Sequence, residues 1–154
     1  MRGILKFIHL FSLVVWFGGA IFLSVFVAEP MFRSFPIELA GDVMGVVFPS
    51  YFRMAYVAGF IALITLYFAS KKKPWVRLVL IMAMLISTLY GGLIAGKKAN
   101  DLRLSIKQEQ NAGQKAALKE NFHTQHRLSV ISLSAVLILV PVVVMLTSRK
   151  LSDG

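Results

Sequence analysis

Cysteine is absent from the 154 residues. Disulfides, thiolate metal sites and a cysteine nucleophile are thereby excluded. Acidic residues are scarce: seven, against seventeen Lys and Arg, for a formal charge of +10. None of the seven (Glu29, Glu38, Asp42, Asp101, Glu109, Glu120, Asp153) falls inside a long apolar run. Intramembrane carboxylates mark proton and cation pathways, so their absence argues against a proton-coupled pump or secondary transporter. Also missing are a phosphate loop, a dinucleotide-binding glycine motif and an HExxH zinc motif. No base, oxyanion partner or elbow glycine accompanies Ser129 and Ser132, so a serine nucleophile is not expected.

What is present is apolar. Hydrophobic residues make up 57% of the chain and the mean hydropathy is +0.73. An ordinary globular chain is about 45–50% apolar. Residues 7–28 contain no Asp, Glu, Lys or Arg. As a helix they would run about 33 Å, enough to cross a bilayer core of roughly 30 Å. Arg2 and Lys6 ahead of this run resemble a signal peptide. The run is too long for a signal h-region, which predicts an uncleaved membrane helix.

The pattern predicts an all-α integral membrane protein: one domain of four antiparallel transmembrane helices, with a polar, helical extension between the third and fourth. The spans are expected at about 5–28, 49–70, 75–96 and 128–147, with the polar segment at 97–127. Glu29-Pro30 should stop the first span. A short interfacial helix is expected near 37–47, and Pro49 suits the first turn of the second span. Lys71-Lys72-Lys73-Pro74 reads as a tight charged turn. Gly92-x3-Gly96 permits close helix contact, expected within the chain rather than at a dimer face. A break is expected near Asn111–Gly113, and Pro141 should kink the last span. The basic residues lie beside span ends, which points to anionic lipid headgroups as partners rather than nucleic acid. The short lysine turn and the acidic first loop favour cytoplasmic termini.

Few side chains carry chemistry. His9, Ser12, Trp16, Gly19, Leu23 and Phe26 share one face of the first helix, a face suited to protein rather than lipid. His9 is the only ionisable group inside that span. Met82, Met84 and Met145 belong to the same end, and His with Met would suit haem iron or Cu(I). The simpler reading is a structural histidine bonded to a serine or to a backbone carbonyl of a neighbouring helix. At the other end, Glu120, His123 and His126 follow at spacings of three. Glu-x-x-His is a metal-carboxylate spacing in bundles, but only one copy exists, and a polar amphipathic turn at the interface is the simpler reading. Helix order puts His9 and His126 at opposite ends, so one haem or metal cannot join them.

His9-x6-Trp16-Phe17-Gly18-Gly19 resembles the opening helix of the CopD-like and HemJ-like membrane proteins. In HemJ-like proteins this His is taken as a haem ligand, so the resemblance implies haem b, with copper a weaker expectation. Phe48-Pro49-Ser50-Tyr51-Phe52 and Phe122-x3-His126-x-Leu128-Ser129 are similar to a bacterial family of four-helix proteins of unknown function. That family is related to the human transmembrane protein associated with cisplatin resistance. The resemblance marks Phe48, Pro49, Tyr51, Phe52, His126 and Ser129 as motif positions. It implies a bacterial inner-membrane protein.

The expected function is a non-enzymatic binding or structural module, with a ligand caught between helices one, three and four near His9 and Trp16. A homo-oligomer or a membrane partner subunit is the expected protein partner. The alternatives are a haem-dependent oxidoreductase and a metal or drug resistance factor.

Overall fold

Lipid offers no partner to a free backbone N–H or C=O, so an apolar chain pairs these groups within helices. In the computed structural model, which describes residues 2–70 and 74–152, four long helices follow one another and no strand occurs among the described residues. Helix α1 (2–34) combines Arg2–Ile21, a π-helical stretch Phe22–Ala28, and Glu29–Ser34. Helix α2 is Ile37–Ala69. Helix α3 combines Trp75–Leu89, a second π-helical stretch Tyr90–Gly96, and Lys97–Gln108. Helix α4 is Ala112–Ser152. All four are long and apolar enough to cross a membrane. This is a multi-pass membrane protein.

Two sequence expectations need correcting. The first helix does not stop at Glu29-Pro30; it runs through to Ser34. Proline cannot donate to the carbonyl four residues back, and the π-helical stretch just before it redistributes the backbone bonds. The second helix begins at Ile37 rather than Pro49, so Pro49 lies in its interior and no separate interfacial helix exists. The turn between α1 and α2 is only Phe35-Pro36. Phe35 is extended, as a residue before proline prefers, and the Pro36 carbonyl accepts from Ala40 N–H at 3.0 Å. Helix α4 continues through Pro141 to Ser152. The lysine turn 71–73 lies outside the described residues.

The break between α3 and α4 falls at 109–111. There the Asn111 side chain caps α4, accepting from the N–H groups of Gly113 and Gln114 at 2.9 and 3.2 Å. The helices form a closed ring in which α1 packs on α2, α2 on α3, α3 on α4 and α4 on α1. Leu13, Trp16, Ala55, Ala62, Ile81, Met84, Val136 and Val140 fill the centre. Exposed Phe, Val, Ile and Leu such as Phe11, Phe60, Ile86 and Ile138 cover the outside, as lipid tolerates. The expected buried face of α1 holds for His9, Ser12, Trp16 and Leu23. Phe26 instead points outward. The π-helical stretch holds more residues per turn, so the face rotates and Val27, Ala28 and Met31 pack inward in its place.

Each helix is over 30 residues long. At ~1.5 Å per residue that is roughly 45–55 Å, well beyond the bilayer core. The surplus lies at one end, where 29–48 and 97–127 hold most of the charged residues. The candidate site is built there.

Candidate functional site

At the terminal end of the bundle the polar groups are sealed. His9 is 2% exposed, and its Nδ1–H donates to the Ala62 carbonyl of α2 at 2.9 Å. Thr65 lies 3.5 Å from the same nitrogen. Deeper in this half of the core, Trp16 has no exposed surface and faces Gly59, where a Cβ would come within 2.9 Å of the indole ring. Among the described residues, His9 Nε2 and Trp16 Nε1 have no hydrogen-bond partner. Arg77 is buried nearby and reaches Thr147 at 3.5 Å. Of the three methionines, Met84 is in the core, whereas Met82 and Met145 are half exposed on the outer surface. For a haem on His9 the unpartnered Nε2 is a fit, but two of the three expected methionine neighbours are not. Ala62 and Thr65 hold one side of the ring, Leu13 and Trp16 are fully enclosed close by, and two of the three methionines face away.

The opposite end is open. A cavity of about 870 Å³ lies between the four helices. That is within the range of ligand pockets, roughly 300–1,000 Å³. Its existence follows from the contacts. Segment 22–34 of α1 makes no substantial contact with α4, which packs on α1 along 2–21. The α1–α2 hairpin and the α3–α4 hairpin therefore diverge, and the cavity fills the gap. Helix α2 contributes Met44, Phe48, Pro49, Phe52, Arg53 and Tyr56. Helix α1 supplies Ser24, Ala28, Glu29 and Phe32; α3 supplies Gly92, Leu93, Lys97, Asn100 and Arg103. Helix α4 adds Phe122, His126, Ser129, Val130, Leu133, Ser134 and Leu137.

Five of the six sequence-motif positions meet in this wall: Phe48, Pro49, Phe52, His126 and Ser129. Tyr51 turns the other way and donates to the Trp16 carbonyl at 3.4 Å. The His126 ring stacks on Phe122 with centroids 5.7 Å apart. Apolar surroundings lower its pKa below the usual imidazole value, with a smaller push from His123. Among the described residues no three His, Asp or Glu side chains are grouped to hold a metal ion, so Glu120, His123 and His126 do not form such a cluster. Ser129 is committed to structure: its hydroxyl donates to the Gly91 carbonyl at 3.0 Å. Ser87 donates to the Ser132 carbonyl at 3.1 Å, a second bond between α3 and α4.

Sequence reasoning missed the polar bridge across the far side. Asp42 of α2 pairs with Arg103 of α3, and Lys107 Nζ reaches the same carboxylate at 2.5 and 2.6 Å. Gly41 and Gly45, four apart on α2, make the seat. A Cβ at 45 would come within 2.5 Å of Arg103 Nη2. The hydrogen bond from Lys107, then that from Arg103, holds the Asp42 carboxyl below its ordinary value of 3.8. The bridge thus persists at neutral pH and is lost only as pH falls below the ordinary carboxylate range. A Gly-x3-Gly followed by Arg-x3-Lys on a later helix was the available signal.

Comparison with known families matches residues 11–108 to DUF4149, a domain of unknown function. The chain belongs to the DUF4149 family. No curated protein and no solved structure matches it. The matched part of this DUF4149 chain holds Trp16, Asp42, Arg53, Lys97 and Arg103, and stops before α4. His9 lies just outside it.

Proposed function

We propose that this protein is a non-enzymatic membrane module that takes an amphipathic, lipid-like molecule from the bilayer into the cavity between its helices. One observation carries the reading: beyond residue 21, α1 makes no substantial contact with α4, and at the depth of the apolar spans Ser24 and Ala28 of the one and Val130, Ser134 and Leu137 of the other line the same cavity. A ligand entering there need not cross water. Its tail would lie on carbon, and its polar end would reach the charged extension. Among the described residues no nucleophile in the cavity wall is hydrogen-bonded to a base, and Ser129 is bonded to the Gly91 carbonyl instead, which favours binding over chemistry.

Filling the mouth tests this. Ser24→Phe combined with Ser134→Trp puts bulk on both lips, at positions outside the core. Native mass spectrometry of the detergent-solubilised chain is expected to show a retained lipid-sized ligand in the parent and its loss in the double variant. Equal retention by both would sink the reading.

We also propose a bacterial inner membrane with cytoplasmic termini, on the short lysine turn and the acidic first loop, so that the charged extension and the cavity's polar end face outward. The cysteine-free sequence makes the test direct. A single cysteine at Gln110, in the α3–α4 turn, should react with a membrane-impermeant maleimide in spheroplasts. One at Lys6 should react only after lysis. The reverse pattern would invert the orientation.

A further inference from the structure

We propose that the polar end of the cavity is an anion site and that its occupant is a membrane lipid with an anionic headgroup. The headgroup lies against Arg53, Lys97 and Arg103, and an acyl chain runs along Phe52 and Leu133. The assignment rests on the cavity being a ligand site and names the ligand class.

Charge accounting around the cavity leads there. Glu29 is the acid in its wall and Asp42 pairs with the wall residue Arg103, and both acids are already met by cations. Glu29 pairs with Arg33 at 3.3 Å, and Asp42 is shared by Arg103 and Lys107. Arg53 and Lys97 have no carboxylate within ion-pair distance among the described residues; Arg53 reaches only the Ser50 hydroxyl, at 3.2 Å. Two cations on one carboxylate at Asp42 leave further positive charge beside the cavity. Arg103 Nε is buried and has no acceptor among the described residues, and a buried donor of this kind calls for a partner. The complement of surplus cations around a carbon-lined cavity is one negative charge on an apolar body.

Depth selects the source. Arg53 and Lys97 sit where the apolar spans give way to the charged extension, the level of phosphate and carboxylate headgroups. The guanidinium fork suits such oxygens. A zwitterionic headgroup would bring its own cation into this ring, and a soluble anion would leave the carbon wall unused. While no anionic headgroup is bound, Asp42 keeps Arg103 in place across Gly41 and Gly45.

The test uses the full chain in detergent, with phosphatidylglycerol and phosphatidylcholine of identical acyl chains at equal concentration, read by native mass spectrometry. Phosphatidylglycerol should be retained at least about 10-fold more strongly. Arg53→Gln with Lys97→Gln should erase that preference. Lys98→Gln, which removes an exposed charge outside the cavity, should keep it. Equal retention of the two lipids by the parent would overturn the headgroup assignment. So would a preference that survives the double substitution, or one that Lys98→Gln lowers as much. Displacement of phosphatidylglycerol by millimolar inorganic phosphate would overturn the lipid. Each of these leaves the cavity reading standing if Ser24→Phe with Ser134→Trp still blocks both lipids. If that pair changes nothing, the cavity reading itself has failed. Unchanged thermal unfolding of each variant shows that the fold is intact.

Discussion

Gly92→Val is expected to cost about 3 kcal/mol, toward the upper end of overpacking penalties, and to close part of the cavity. Gly92 lies where α3 crosses α2. A Cβ there would overlap the Tyr56 hydroxyl and come within 2.7 Å of the Phe52 ring at the carbon that joins its side chain. The tyrosine hydroxyl is the far end of a flexible group and can swing away. The root of the Phe52 ring cannot, because Phe52 is buried and stacks with Tyr56 at a centroid distance of 6.3 Å. The strain therefore falls on the helix pair, which must separate. Gly18→Ala is the internal control: nothing lies within 4 Å of its Cβ, so it should be neutral or slightly stabilising, as expected for alanine in a helix. Unfolding in mixed micelles, titrated with SDS and followed by circular dichroism, gives both numbers. A Gly92 variant as stable as the parent would mean that Phe52 is free to move, and the cavity wall would then be soft rather than built.

Much of the bundle was legible because its signals are long-range averages. Four apolar stretches, charges confined between them and Gly92-x3-Gly96 as a close contact all follow from what lipid permits. The details that were not legible share one cause. Prolines 30 and 49 are helix breakers in water, yet lipid and neighbouring helices keep the chain helical through them. The two π-helical stretches leave no clear signature in sequence, and the first rotates Phe26 from the core to the surface. The cavity end went unread for a related reason. His9 and Trp16 drew attention as the rare polar and aromatic groups of the first span. A rare polar group inside a membrane is often one that holds helices together, as the bond from His9 to the Ala62 carbonyl does. The residues that line the cavity are ordinary ones, Phe48, Phe52, Arg53, Lys97 and Arg103. Only the divergence of the two hairpins gives them a shared space, and that divergence depends on contacts between helices far apart in sequence.

Trp16→Ala is the second large effect, expected at about 3 kcal/mol, and its companion Trp16→Phe decides what the indole is for. Trp16 has no exposed surface. In a bilayer the separated helix would still lie in hydrocarbon, so the transfer term that dominates in soluble cores is small. What remains is the void: roughly 140 Å³ removed at about 24 cal/mol per Å³ gives the 3 kcal/mol. The phenyl ring refills most of that void. It also removes an indole N–H that has no partner among the described residues, and an unpaired buried donor is itself a cost. The two terms oppose, so Trp16→Phe should lie within about 1 kcal/mol of the parent. Both variants should bind phosphatidylglycerol as the parent does, because Trp16 lies outside the cavity wall. If Trp16→Phe were as damaging as Trp16→Ala, the indole N–H would be donating to a bound group. A ligand site would then have to be restored beside His9, at the other end of the molecule.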